Sequence, residues 1–165
     1  MTAGERPELH LNPGQIVVAG GGQRIHTLLG SCVAVTVWHP PSARGGICHA
    51  LLPERGDASR FGPGYFVDEA MDELLRELLW RAPMTELQFK VFGGGRLFGD
   101  EAGDGSSIGE RNVRRVRDHL AAFGVRPVSE HCGGRGWRTL TFDLADGRVH
   151  LRYSAQGAGS MEWNG

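Results

Sequence analysis

Apolar and polar positions along this chain follow two periods. The segments "QIVVAG" (residues 15–20), "CVAVTVW" (32–38), "GICHALL" (46–52) and "LQFKVF" (87–92) are short apolar runs rich in β-branched residues, and they predict strands. A Pro-rich turn separates the second and third, so these two predict a hairpin. The segment "YFVDEAMDELLRELLW" changes period. Val67, Ala70, Met71, Leu74, Leu75, Leu78 and Leu79 fall on one helical face, and Pro83 limits the far end. A second helix is predicted in "SIGERNVRRVRDHLAAFG". Ser107 and Glu110 form a capping box, Val113, Val116, Leu120 and Phe123 an apolar stripe, and Gly124 is placed to end it. Near the C-terminus, "RTLTFDLADGRVHLRY" predicts a hairpin with Asp146-Gly147 at the turn. A two-residue loop there would pair Leu144 with Val149, Phe142 with Leu151 and Leu140 with Tyr153.

Strands and two helices alternate without a strict βαβ rhythm. The expected fold is α+β: a layered arrangement of a mixed or antiparallel β-sheet system with helices packed on one face. No internal repeat or linker divides the chain, so residues 1–165 are expected to form a single domain.

Composition adds little to that picture. There are 26 glycines among the 165 residues, which implies many turns and close backbone approaches. The formal charge of −1 argues against a generic nucleic-acid binder. Arg111, Arg114, Arg115 and Arg117 share a helix with Glu110 and Asp118 and read as a solvated face. No segment is long and apolar enough to predict membrane insertion, and none at the N-terminus resembles a signal peptide. Three cysteines, an odd number, do not suggest a disulfide framework. The simplest reading is a reduced, cytoplasmic protein.

The chemistry-bearing residues concentrate in "TLLGSCVAVTVWHPPSARGGICHALLP", residues 27–53. Cys32 follows a Gly30-Ser31 turn, and Cys48-His49 returns on the next predicted strand. Buried packing suits Cys48 well. A metal site built from Cys32, Cys48-His49 and His131-Cys132 lacks any C-x₂-C or H-x₃-H spacing, and neighbours on a strand point to opposite faces. Nucleophilic catalysis needs a thiol, an imidazole within reach and backbone donors for an oxyanion. In an antiparallel hairpin, paired positions have a constant sum. An odd sum puts Cys32 and His49 on one face, and at 83 His49 opposes Ala34, diagonal to Cys32. An even sum separates them unless Cys32 lies in the turn rather than the strand, and the pattern admits both. The run Gly93–Gly95 lacks the G-x-x-x-x-G-K-[ST] pattern and reads as a place of close backbone packing rather than phosphate binding. Phe61, Tyr65 and Phe66 read as loop anchors or a substrate rim.

Taken in order, "TLLGSCVAVTVW", "GGICHALLP", "YFVDEAMDELLREL", "KVFGGG", "IGERNVRRVRDHLAAFGV" and "LTFDLADGRVHLR" resemble CheD, the bacterial chemoreceptor glutamine deamidase family, from about residue 15 to 153. The most specific parts are the LGSCV stretch and the G-G-x-x-H-x-x-L-P stretch of Gly45, Gly46, His49, Leu52 and Pro53. The resemblance implies that Cys32 is the nucleophile, His49 the catalytic histidine and Thr27 the third member of the triad. His26, beside Thr27, is the alternative under a shifted alignment. His131 stands where relatives tend to carry an acidic residue, and neither it nor Cys132 receives a role.

The activity implied is conversion of receptor glutamines to glutamate with release of ammonia. Cys32 would attack, His49 would raise its thiolate fraction and shuttle protons, and backbone N–H groups around Gly30, Ser31 and Cys32 would stabilise the oxyanion. No metal or organic cofactor is implied. The implied partners are the cytoplasmic helices of chemoreceptors, as substrate, and in some bacteria the phosphatase CheC. The contrasting reading is an adaptor that binds receptors or the phosphatase without turnover. A zinc-binding structural module is the third.

Overall fold

In the computed structural model, residues 5–57, 60–97 and 105–165 are described. They form three layers: a sheet, a second sheet and a pair of helices, in agreement with the predicted α+β arrangement. The first sheet has the order β1-β3-β8-β9-β10, with β1 at Glu8–His10, β3 at Arg24–Leu29, β8 at Gly136–Asp143, β9 at Val149–Ala155 and β10 at Ser160–Asn164. The second has the order β2-β5-β4-β6-β7, with β2 at Ile16–Ala19, β4 at Val33–His39, β5 at Arg44–Ala50, β6 at Gln88–Gly93 and β7 at Ser129–Cys132. The pairs β1–β3 and β6–β7 are parallel and the rest antiparallel, so both sheets are mixed.

The second sheet lies in the middle, which is why β4 is buried along its whole length. Its alternation serves two cores. Val33, Val35 and Val37 face the helices, while Ala34 and Trp38 face the first sheet. Helix α1 (Val67–Leu79) buries Val67, Ala70, Met71, Leu74, Leu75 and Leu78 in the helix-side core. Leu79, expected on the same face, is exposed. At 100° per residue it sits well away from the centre of the stripe. Helix α2 (Ile108–Ala122) begins at the Ser107/Glu110 capping box as predicted and buries Val113, Val116 and Leu120. Phe123, expected in this stripe, follows the last helical turn and is exposed, with its ring edge-on to His119.

The C-terminal hairpin differs in register from the two-residue expectation. Phe142 pairs with Val149 and Leu140 with Leu151, and residues 144–148 form the loop. Tertiary contacts hold that longer loop open. Leu144 is buried between the sheets, its N–H donates to the Gln23 carbonyl at 2.8 Å, and the Lys90 ammonium donates to the Gly147 carbonyl at 2.9 Å. The shift is two residues, so Leu140, Phe142 and Leu151 still face the core.

The glycine run after β6 joins the layers. A Cβ at Gly93 would stand 2.3 Å from the Cys32 carbonyl oxygen, and one at Gly94 2.2 Å from a Val113 methyl and 2.7 Å from the Gly109 carbonyl oxygen. Both residues have positive φ, 104° and 68°. The absence of side chains here lets the start of α2 and the segment before β4 meet the same turn, the close packing the sequence suggests. Phe66 is fully buried and Tyr65 lies against Gly14, stacking on Phe61, so the loop before α1 is anchored by its aromatics. Arg115 and Arg117 on the outer side of α2 pair with Asp68 and Glu130.

Candidate active site

The site grows from the inner faces of the two sheets. On β3 the alternation places Ile25, Thr27 and Leu29 inward and buried, and His26 on the opposite face. On β5 the hairpin sum is 83: Ala34 pairs with His49 and Val35 with Cys48. His49 therefore projects into the space between the sheets, and Cys48 into the helix-side core. That divergence also keeps Cys48 and His49 from sharing one ion.

Thr27 and His49 meet across the intersheet space. The Thr27 Oγ1 and His49 Nδ1 are 2.7 Å apart, and the same hydroxyl donates to the Leu11 carbonyl at 2.8 Å. A hydroxyl has one proton. Because the carbonyl can only accept, that proton goes to Leu11, and the Nδ1–H of His49 donates to Thr27. The imidazole is thereby held as the Nδ1–H tautomer, with the lone pair on Nε2. His26 instead shares a hydrogen bond of 2.9 Å with Thr141 on the outer face of the first sheet.

Cys32 lies just before β4, in the bend after Gly30 and Ser31, and packs against the intersheet cluster. The three carbonyls of this bend are all tied off. Gly30 O accepts from Gly95 N at 2.9 Å, Ser31 O from Asn112 Nδ2 at 3.0 Å, and Cys32 O from Gly94 N at 2.8 Å. The N–H groups of Ser31 and Cys32 donate to no backbone carbonyl among the described residues. Among those residues no hydrogen bond joins the Cys32 thiol to the His49 imidazole. Such contacts are often long before substrate binds.

Burial sets the protonation of both groups. It pushes the Cys32 thiol up to about 11, an effect its own N–H only partly offsets. It pulls the His49 imidazole down to about 4, with a smaller contribution from the charge of His10. Both groups are therefore neutral at pH 7. Burial disfavours the charged form of each group, which opposes the resting thiolate that the sequence suggests.

Two groups that contact these segments escape a reading of the sequence. The Leu11 carbonyl is main chain and has no residue signature. Asn112 does leave one, as a polar residue on the apolar stripe of α2 beside Val113 and one turn before Val116, fully buried.

The comparisons place this chain in a family. The model of the family described as "CheD chemotactic sensory transduction" matches residues 51–153. The chain belongs to the CheD family. It is 40% identical over 151 residues to a "Probable chemoreceptor glutamine deamidase CheD" of Pyrococcus abyssi, covering 88% of this chain and 91% of that one. A "Probable chemoreceptor glutamine deamidase CheD 3" of Dechloromonas aromatica is 40% identical over 156 residues, covering 93% and 91%. A protein of the first description from Pseudomonas syringae pv. tomato is 35% identical over 149 residues, covering 88% and 89%. The family-model match starts C-terminal to Thr27, Cys32 and His49. No helix among the described residues is long and apolar enough to cross a membrane.

Proposed function

We propose that this protein deamidates glutamine side chains on the cytoplasmic helices of chemoreceptors, using Cys32 as nucleophile, His49 as acid–base and Thr27 as the group that orients it. The observation that carries this reading is the Leu11–Thr27–His49 chain, which leaves the Nε2 lone pair of a buried, neutral imidazole in the space that Cys32 borders. The names of the similar proteins support the substrate class.

A primary amide is a weak electrophile, and its nitrogen leaves only when protonated. The Cys32 S–H proton passes to His49 Nε2 as the sulfur attacks the side-chain carbonyl carbon of the glutamine, so that no thiolate need be stored beforehand. Negative charge develops on the carbonyl oxygen, where the free N–H groups of Ser31 and Cys32 act as donors, with the Gly30 turn setting their direction. Imidazolium gives its proton to the nitrogen, the C–N bond breaks and ammonia departs, leaving a thioester. Water then attacks as His49 takes its proton, and collapse expels the Cys32 sulfur, which recovers a proton. The product is glutamate. Thr27 accepts the Nδ1–H throughout and steadies the imidazolium less strongly than a carboxylate would. The chemistry proceeds without a metal or organic cofactor. In bacteria that carry it, the phosphatase CheC is the further partner of this reading, and the receptor helices place the protein in the cytoplasm.

The test is incubation of the purified protein with a receptor cytoplasmic fragment, followed by mass spectrometry of its glutamines. Site-specific glutamine-to-glutamate conversion, lost in folded Cys32→Ala and His49→Ala variants, is the expected result. Binding of several receptor fragments without conversion overturns the enzyme reading in favour of the adaptor.

A further inference from the structure

Asn112 is a fully buried polar residue in the apolar stripe of α2. Its Nδ2 donates twice, to the Ser31 carbonyl at 3.0 Å and to the Leu51 carbonyl at 3.0 Å. Only the NH₂ end of an amide can serve two carbonyls, so the side chain has one allowed orientation. Its Oδ1 is then buried with no hydrogen-bond partner. An unpaired buried acceptor is a standing cost, set here against the two carbonyls that the amide satisfies.

The two carbonyls explain what the amide does there. Ser31 immediately precedes the thiol-bearing residue, and Leu51 lies two positions past His49 on the chain leaving β5. One side chain on α2 thus ties the nucleophile segment to the end of the histidine strand. The peptide linking Ser31 and Cys32 is trans, so its C=O and N–H point in opposite directions. Drawing the Ser31 carbonyl towards α2 turns the Cys32 N–H away from the helix. That N–H has no backbone acceptor among the described residues.

We propose that Asn112 is a positioning residue for the deamidation: by anchoring the Ser31 carbonyl it aims the Cys32 N–H at the developing oxyanion, and by anchoring Leu51 it holds that donor in register with His49. The inference rests on the deamidase reading. It assigns Asn112 no contact with substrate, and its action is on the transition state rather than on the nucleophilicity of sulfur or on substrate binding.

The experiment compares wild type with Asn112→Ala in the full chain, measuring kcat and KM for receptor-fragment deamidation, the rate of Cys32 alkylation by iodoacetamide, and folding by circular dichroism. Alkylation uses the sulfur but forms no oxyanion. The expected result is a fall in kcat of about 10- to 100-fold, the scale of a misdirected oxyanion donor, with KM and the alkylation rate changed by no more than about twofold. Should Asn112→Ala not fold, Asn112→Ser, which retains a single donor, is assayed in its place and should lose about tenfold in kcat. An undiminished kcat in a folded variant overturns the proposal, as does a parallel fall in kcat and alkylation, which marks general loosening. Failure of both variants to fold also overturns it, since Asn112 is then a folding element. A wild type without deamidation removes the underlying reading and this proposal together, and is distinguished by showing no conversion before any variant is compared.

Discussion

The Thr27 hydroxyl accepts the Nδ1–H of His49 at 2.7 Å because its own proton is committed to the Leu11 carbonyl at 2.8 Å. A backbone group just past β1 thereby selects the tautomer of a side chain on β5. Thr27→Ser retains the hydroxyl and should keep deamidase activity within a few-fold. Thr27→Val matches the shape but offers no acceptor, freeing the imidazole to take the other tautomer. A loss of about 10- to 100-fold in kcat is expected, the range seen when a group that orients a functional histidine is removed. Steady-state kinetics of the two variants check this, and equal activity in both would show that the hydroxyl does not set the tautomer.

The pH profile follows from burial. With His49 pulled down to about 4 and Cys32 pushed up to about 11, the neutral pair persists between these limits. The kcat/KM for deamidation should therefore be flat across neutral pH and fall only as pH approaches 4, with no limb near the ordinary histidine value. A rate profile taken with a folding control at each pH measures it. An inflection near pH 6.5 would mean that the working base is not the buried imidazole seen here.

The same shift links to stability. His49 binds a proton more weakly folded, at about 4, than unfolded, at 6.5. Stability is therefore complete above pH 6.5 and declines as pH falls towards 4, by roughly 3 kcal/mol from this group. A folded His49→Gln variant should lose less stability than wild type over that interval. Denaturant midpoints at pH 7 and pH 4.5 compare the two directly.

Cys32 should be a slow thiol. Burial keeps it protonated, so alkylation by iodoacetamide at pH 8 should be slower than that of free cysteine by at least about tenfold. Mass spectrometry of the alkylated peptide reads the rate at this residue separately from Cys48 and Cys132. Rapid alkylation at neutral pH would instead indicate a stored thiolate.

Gly93→Ala tests the turn behind the nucleophile. The new methyl would meet the Cys32 carbonyl oxygen at 2.3 Å, and alanine is strained at a φ of 104°. A destabilisation of at least about 1–3 kcal/mol is expected from the backbone strain, seen as a lower thermal midpoint. Activity should fall further than stability explains, because the clash displaces the residue that carries the sulfur.

Periodicity along the chain was sufficient for the two helices and for β2, β4, β5 and β6, since those segments are apolar on a repeat that matches one secondary structure. The Ser107/Glu110 cap was legible for the same local reason. The strands β1, β3, β7 and β10 were not, because "ELH", "RIHTLL", "SEHC" and "SMEWN" mix polar and apolar residues and acquire strand pairing only from distant partners. The C-terminal loop is longer than its sequence suggests, because Leu144 and Gly147 are held by groups far along the chain. For the site, the residue types are legible along the chain: a thiol after a glycine-containing bend and an imidazole on the next strand. Folding made the hairpin sum odd, turned Thr27 rather than His26 toward the imidazole, and buried both titratable groups so that their charged forms are disfavoured. Register, facing and burial depend on which sheet covers which. That choice is made by contacts between segments remote in sequence, which no local pattern encodes.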